Sequence, residues 1–199
     1  MIEVGLTGNI GSGKSTVARV FESLNIPIYD SDTRAKELYW DPEIKRQIIK
    51  LIGEKSYNGN SLNRKYIAGI VFKDKEKLEQ LNAIIHPAVA NDYLKWKSKH
   101  YGFSYLIKEA ALLIEAKTYR QLDKLIVVTA PEDLRISRVM KRDDVNENDV
   151  RDRIQNQLPE NQNLSYADYE IINDEKSFII EQVLRIHRQL LLEHKIKKK

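Results

Sequence analysis

Short apolar runs alternate with segments of helical periodicity along most of the chain. The apolar runs predict five strands, at residues 2–7, 26–30, 104–108, 123–130 and 169–174. Helices are predicted at residues 14–24, 33–40, 43–52, 75–85 and 131–143 and from about 176, with one more opening at Pro87, because proline suits a first helical turn. This alternation predicts an α/β fold with a five-stranded parallel sheet covered by helices on both faces.

The composition predicts one compact globular domain. The chain has 199 residues, of which 42% are hydrophobic and 31% charged. No apolar run approaches the roughly 20 residues that cross a bilayer, and no signal segment precedes the first strand. Since there are no cysteines, disulfides and thiolate metal sites are excluded. We expect a cytoplasmic protein with no membrane partner.

The net charge of +4 is mild, and its most visible source is the terminal HKIKKK. Lysines there suit the negative end of a helix dipole, so a solvated helix end is expected. The other interpretation is a nucleic-acid patch. Because no basic stripe or interleaved aromatic residues occur elsewhere, no nucleic-acid partner is expected.

A glycine-rich stretch directly after the first strand carries the clearest chemistry. Gly8-Asn9-Ile10-Gly11-Ser12-Gly13-Lys14-Ser15 matches G-x-x-x-x-G-K-[ST] between a predicted strand and a predicted helix. Glycines let backbone N–H groups surround phosphate oxygens, and the helix that follows points its positive dipole end at the same anion. The stretch is therefore predicted to bind the triphosphate of ATP.

Three side chains at the end of this loop are predicted to serve the nucleotide. Lys14 has the length to reach the β- and γ-phosphates, and the Ser15 hydroxyl is a ligand for Mg²⁺. Thr16 is expected to add a contact to the α-phosphate. A short chain with this loop at its start, and without the N/T-K-x-D motif of GTPases, indicates a small-molecule kinase.

A kinase also needs a group that accepts the proton of the acceptor hydroxyl. The second predicted strand ends in YDSD, which places Asp30 and Asp32 beyond its carboxyl end, where ligands bind in open α/β sheets. Aspartate is also a common cap for a helix, such as the one predicted to start near Thr33. Local chemistry alone leaves Asp32 equally suited to either role.

The chain resembles the dephospho-CoA kinase family in motifs that follow one another along almost its whole length. Residues 5–15 match the family's G-L-T-G-x-I-G-S-G-K-S loop, and Asp30-Ser31-Asp32 matches its D-A-D motif, with serine in the middle. The other matching segments are LNAIIHP at 81–87, AALLIEA at 110–116, RVMKRDDVNENDVRDRIQNQ at 138–157 and IIND at 171–174. They resemble, in that order, the family's L-x-x-I-x-H-P, P-L-L-F-E, R-x-x-x-R-D followed by R-x-x-x-Q, and last-strand segments.

The resemblance implies ATP-dependent phosphorylation of the ribose 3′-hydroxyl of dephospho-CoA, which gives CoA and ADP at the last step of CoA synthesis. It implies that Asp32 accepts the hydroxyl proton and that Asp30 orders the acceptor or the waters of Mg²⁺. His86 is expected to orient the acceptor, although a histidine before proline also suits a helix end. Glu115 is expected to bind the substrate.

The resemblance also assigns residues of the second half of the chain. Arg138 and Arg142 are expected to pack near adenine or to grip phosphates with their planar fork of donors, with Arg142 in a catalytic role. Arg153 is a further candidate of this kind. Asn173, after the last strand, is expected near the base of ATP.

We expect one P-loop kinase domain made of three parts. Residues 1–30, 101–140 and 166–199 are expected to form the core, residues 31–100 a helical acceptor-binding subdomain, and residues 141–165 a lid. The lid segment is unusually polar and is predicted to be mobile and to lie on the surface.

Several positions depart from the family pattern. Ala111 stands where proline is more common, and Ile114 stands where phenylalanine is. Lys36 replaces a frequent arginine, and because lysine lacks the bidentate fork, any acceptor contact there is expected to be looser. Arg34 is positioned to substitute for it, and Glu109 has no assigned role.

Two other functions are consistent with parts of the sequence. One is a P-loop kinase that acts on another small nucleoside, nucleotide or hydroxy compound. The other is a non-catalytic nucleotide switch or nucleic-acid-binding protein, which only the basic tail favours.

Overall fold

A five-stranded parallel sheet forms the centre of the first of two units in the computed structural model, which describes residues 1–59 and 61–197. The first unit contains residues 1–30 and the chain from His100 onward, and the second contains Ser31–Lys99. In chain order the main elements are β1 Ile2–Thr7, α1 Lys14–Ser23, β2 Ile28–Asp30, α2 Ser31–Leu38, α3 Pro42–Ile52, β3 Tyr57–Asn58, β4 Ser61–Leu62, α4 Arg64–Val71, α5 Lys75–Ser98, β5 Tyr105–Glu109, β6 Lys124–Thr129, α6 Glu132–Asp143, α7 Glu147–Gln155, α8 Glu160–Leu164, β7 Tyr169–Ile172 and α9 Ile179–Lys197.

The sheet has the strand order β2-β5-β1-β6-β7, and every neighbouring pair is parallel. This confirms the predicted α/β class and the five-stranded parallel sheet. Because all strands run the same way, their carboxyl ends lie along one edge, where the glycine-rich loop begins after Thr7.

Hydrophobic cores cover both faces of the sheet, as the unbroken apolar runs require. In β6, Ile126 and Val128 lie in the core that contains residues of α1 and α9. Leu125 and Val127 alternate with them and pack in the opposite core, which includes Leu113. The alternation arises because successive side chains of a strand point to opposite faces.

The second unit is largely helical and has its own core. Ile44, Ile48 and Ile52 repeat every four residues on α3 and are buried with residues of α4 and α5. Asp41 caps α3 by accepting hydrogen bonds from the backbone N–H groups of Glu43 and Ile44. The predictions omitted α4 and the antiparallel pair of β3 and β4, whose strands are too short to leave an apolar run.

The predicted break at Pro87 is wrong, since α5 continues through this residue as one helix. Proline inside a helix costs about 3 kcal/mol, because it removes a backbone hydrogen bond. Ile85 before Pro87 is buried in the core of this unit, and Ala88 and Val89 after it pack against the same core, which holds both parts of the helix. The proline was therefore misread as a helix start.

The polar segment 141–165 is not uniformly at the surface, so that prediction is wrong in part. Val150 of α7 has no exposed surface and packs against Ile136 and Val139 of α6. Asn163 of α8 is 4% exposed. The few apolar residues of these helices, Val150 and Ile154 in α7 and Leu164 in α8, were too weak a signal to predict this packing.

The basic tail belongs partly to α9, which contains Lys195 and Lys197. Lys197 Nζ lies 2.8 Å from Asp123 Oδ1, so this lysine pairs with a carboxylate of the same unit. Lys198 and Lys199 lie outside the described residues. Among the described helices, none combines the length and the apolar character that a bilayer crossing requires.

Candidate active site

The glycine-rich loop joins β1 to α1 in a conformation that only glycine tolerates at two key points. At Gly8 a Cβ atom would lie 2.3 Å from the carbonyl oxygen of Val128 in the neighbouring strand. Gly13 has a φ of 95°, and a Cβ atom there would lie 2.1 Å from Asn173 Nδ2. The glycines are therefore required by close approach and by positive φ, which is the geometry of an anion-binding loop.

The first turn of α1 presents Lys14, Ser15 and Thr16 at the end of this loop. Both hydroxyl residues are exposed, and Lys14 is half-buried, with Nζ donating to the carbonyl oxygen of Gly8 at 2.8 Å. The Lys14 side chain therefore reaches from the end of the loop back to its first residue, Gly8. The helix dipole and the lysine charge together make this turn favourable for an anion.

Arg138 and Asn173 lie against one side of the loop. Asn173 Nδ2 donates to the carbonyl oxygen of Ser12 at 2.7 Å, and Arg138 Nη1 donates to that of Gly11 at 3.4 Å. Arg138 Nη2 also donates to the Asn173 carbonyl oxygen at 3.1 Å and pairs with Glu175 at 3.1 Å. The structure therefore brings these two predicted nucleotide ligands together at the loop, where they hold its carbonyl groups.

The other side of the loop is held by residues to which the sequence analysis gave no role. Gln157 Oε1 accepts the backbone N–H of Ile10 at 2.7 Å. Asn9 Nδ2 donates to the carbonyl oxygen of Leu158 at 2.9 Å, and Asn163 Nδ2 donates to Asn9 Oδ1 at 2.7 Å. The R-x-x-x-Q pattern was the one signal in the sequence that pointed to a glutamine here.

Two carboxylates stand at the carboxyl ends of adjacent strands. Asp30 ends β2 and Glu109 ends β5, and the two residues are paired in the register of the sheet. Glu109 is also the register partner of Leu6, the residue before Thr7 at the end of β1. This edge therefore places two oxygen-bearing side chains near the start of the loop.

The donor set suits Mg²⁺ held mainly by substrate phosphates. No cluster of three or more His, Cys, Asp or Glu side chains that could hold a metal occurs in residues 1–59 and 61–197. Mg²⁺ commonly keeps several waters and takes only one or two protein oxygens together with phosphate oxygens. The Ser15 hydroxyl and the Asp30 carboxylate fit that kind of coordination.

Arg142 and Arg153 meet at one carboxylate at the junction of α6 and α7. Arg142 donates to both oxygens of Asp143, at 2.7 and 3.1 Å, and Arg153 Nη1 donates to Asp143 Oδ2 at 2.7 Å. The hydrogen bonds from Arg142, followed by those from Arg153, lower the pKa of Asp143 to about 2. Asp143 thus holds two guanidinium groups side by side despite their like charge.

Glu115 lies in the segment after β5. Its Oε1 accepts the backbone N–H of Leu158 at 3.4 Å, so it contacts the chain segment that also bonds to Asn9. Its predicted role in substrate binding stays a prediction.

The remaining predicted residues belong to the second unit. Asp32 is exposed and is the second residue of α2, so it lies in the first helical turn and does not precede the helix as a cap. His86 is exposed in the interior of α5, and the helix-end interpretation of this histidine is wrong. Arg34 makes a bidentate contact with Asp92 of α5, at 2.8 and 2.6 Å, which joins α2 to α5.

Comparison with known proteins gives consistent matches over most of the chain. Residues 2–178 match the family model of CoaE, dephospho-CoA kinase. The chain is 39% identical over 189 residues to a dephospho-CoA kinase of Porphyromonas gingivalis, which covers 94% of this chain and 93% of the relative.

Two solved structures extend the likeness to three dimensions. The crystal structure of TT1252 from Thermus thermophilus has a TM-score of 0.83 and 31% sequence identity, covering 96% of this chain and 97% of that one. A dephospho-CoA kinase from Campylobacter jejuni has a TM-score of 0.71 over 96% of this chain and 98% of its own, and at 23% identity it supports the fold alone.

Proposed function

The chain belongs to the dephospho-CoA kinase family, and from that membership we infer that it transfers a phosphoryl group from ATP to the ribose 3′-hydroxyl of dephospho-CoA. The products are CoA and ADP. Family membership favours this reaction over that of a kinase for another small substrate and over a non-catalytic role. A cytoplasmic location and the absence of nucleic-acid and membrane partners stay predictions.

The structural observation that supports the nucleotide part of the proposal is the geometry of the loop between β1 and α1. Its backbone is bent by glycines at positive φ, and it ends in Lys14 at the first turn of a helix. This arrangement concentrates N–H dipoles and one positive charge at a single point, which suits a polyphosphate and few other ligands. Transfer of a phosphoryl group depends mainly on such positioning and charge stabilisation.

At the nucleotide end we assign the loop residues Gly8–Thr16 to the phosphates. Lys14 Nζ exchanges its bond to the Gly8 carbonyl oxygen for phosphate oxygens and stabilises the charge that builds up during transfer. Arg138 and Asn173 keep the loop in shape and border the nucleotide. Ser15 would hold Mg²⁺ together with phosphate oxygens, and the bound ion would neutralise part of the phosphate charge.

At the acceptor end we assign Asp32 as the base. Its carboxylate accepts the proton of the 3′-hydroxyl as that oxygen bonds to the γ-phosphorus and the bond to the departing ADP oxygen breaks. The exposure of Asp32 in the first turn of α2 and its position two residues after Asp30 support this role. We assign Asp30, His86 and Glu115 to orienting the acceptor.

We assign Arg142 and Arg153 to the transferred phosphoryl group and α7 to the lid that carries one of them. Asp143 accepts hydrogen bonds from both guanidinium groups. Phosphate oxygens accept the same kind of hydrogen bond from arginine, so a bound phosphoryl group would compete with Asp143 for both side chains. Amide hydrogen exchange over the lid, residues 141–165, should therefore slow when ATP and dephospho-CoA bind together. Unchanged exchange would remove the lid from the mechanism.

An acceptor panel tests the proposed reaction. ADP release is measured at fixed ATP and Mg²⁺ with dephospho-CoA, adenosine, AMP, glycerol or water as the acceptor, and mass spectrometry identifies the phosphorylated product. We expect turnover with dephospho-CoA well above that with water, and formation of CoA. The variant Lys14→Ala, prepared in the same way, controls for contaminating kinases. Equal rates for dephospho-CoA and water would refute the assignment.

A further inference from the structure

Gln157 belongs to a motif that the assigned reaction does not use. The pattern R-x-x-x-Q fits the chain twice, at Arg151–Gln155 and at Arg153–Gln157. The structure distinguishes the two glutamines, because Gln155 is exposed on α7 whereas Gln157 Oε1 accepts the backbone N–H of Ile10 inside the glycine-rich loop. Of the two glutamines, it is therefore Gln157 that contacts the residues assigned to phosphate binding.

The contact is reinforced by a buried amide pair that Asn163, six residues further along the chain, forms with Asn9. Asn9 and Asn163 are 3% and 4% exposed, and Asn163 Nδ2 donates to Asn9 Oδ1 at 2.7 Å. Asn9 Nδ2 in turn donates to the Leu158 carbonyl oxygen at 2.9 Å. Since water has little access to this pair, breaking it would leave a buried amide without a partner, which costs more than loss of an exposed hydrogen bond.

These bonds reach the loop at Asn9 and Ile10, before the first turn of α1. The Ile10 N–H and the Asn9 side chain are engaged by residues 157–163, whereas the assigned phosphate ligands Lys14 and Ser15 lie on the first turn of α1. A loop with several positive-φ glycines has many alternative conformations. Hydrogen bonds from residues outside the loop select one of these conformations. The loop therefore loses less conformational entropy when phosphate binds.

We propose that Gln157 and Asn163 are positioning residues that hold Asn9 and Ile10 so that the phosphate loop is preformed for ATP. The inference rests on the proposed function only in its assignment of the loop to the nucleotide.

The test compares Gln157→Met with Gln155→Met. Methionine has a similar length but no hydrogen-bond acceptor of comparable strength, so the first variant removes the bond to Ile10, and the second makes the same change at an exposed position. We expect Gln157→Met and Asn163→Ala to weaken ADP binding by about five- to thirtyfold in calorimetry. Adenosine, which has no phosphate, should bind each variant within about twofold of the unsubstituted protein, because it does not use the loop.

Three outcomes would overturn the proposal. The first is equal or tighter ADP binding by Gln157→Met, and the second is the same loss in Gln155→Met. The third is parallel loss of ADP and adenosine affinity, which would indicate general destabilisation. If Gln157→Met does not fold, Gln157→Glu retains an acceptor oxygen and should fold and bind ADP, and its failure to do so would also refute the role. Turnover of the unsubstituted protein with dephospho-CoA, measured in parallel, shows separately whether the proposed function holds.

Discussion

Replacing Gly13 by alanine tests whether the shape of the phosphate loop is as restricted as its contacts indicate. The new Cβ atom would lie 2.1 Å from Asn173 Nδ2, well inside van der Waals contact, and the φ of 95° is one that alanine adopts only under strain. The strain costs about 1–2 kcal/mol. Displacing the Asn173 amide from the Ser12 carbonyl oxygen, which it now meets at 2.7 Å, costs about 1 kcal/mol more.

The sum of about 2–3 kcal/mol is divided between stability and nucleotide binding, because the loop either keeps its conformation under strain or relaxes and loses the phosphate site. If the whole cost fell on binding, the Kd for ADP would rise about 30- to 150-fold. The assay therefore measures both the free energy of unfolding in urea and the Kd for ADP by calorimetry, and adds the two losses.

Two further variants make this prediction specific. Gly102→Ala is the control, since a Cβ atom there meets no atom within 4 Å and the residue does not have a positive φ. In an Asn173→Ala background the steric conflict is gone, so Gly13→Ala should cost only the backbone strain of about 1–2 kcal/mol. A summed loss no larger than that of Gly102→Ala would refute the account of the loop.

Three more outcomes are expected. Asp32→Asn should lower kcat by about 10²- to 10⁴-fold while the Kd for ATP stays near that of the unsubstituted protein, because a positioned base acts only on the chemical step; an unchanged kcat would move the base elsewhere. Lys14→Ala should weaken ATP binding and lower kcat together, since its charge serves the bound nucleotide and the transition state, and a loss confined to KM would contradict this. The Asp143 carboxyl should titrate in ¹³C NMR with a pKa of about 2, below the ordinary value of 3.8. The pairing of Asp143 with arginine therefore stabilises the fold above about pH 4, and this stabilisation is lost as the pH falls towards 2. Arg142→Met should raise that midpoint. Equal midpoints in the variant and the unsubstituted protein would show that Arg142 does not lower the pKa of Asp143.

The helical unit shows where local patterns misled the sequence analysis. Pro87 was interpreted as a helix start because proline favours first turns, yet α5 runs through it. The packing of Ile85, Ala88 and Val89 against the core of this unit is a tertiary contribution that outweighs the local cost of one missing hydrogen bond. The strands β3 and β4 were not predicted because two residues each are too few to leave an apolar run.

The polar segment 141–165 shows a different limit. Its composition correctly indicated little core, but composition could not reveal that Val150 and Asn163 are buried or that Gln157 contacts the phosphate loop. A hydrogen bond between residues 147 positions apart leaves no periodic trace in a single sequence.

The sequence by itself determined the alternation of strands and helices, the parallel sheet and the position of the phosphate loop. These features depend on residues close together in the chain, namely unbroken apolar runs and the eight residues from Gly8 to Ser15. Only the tertiary structure decided what holds that loop, since Arg138, Gln157, Asn163 and Asn173 reach it from elements formed far along the chain. The physical reason is that backbone propensities and apolar spacing act locally, whereas the partners of a buried polar group are fixed only when distant segments pack together.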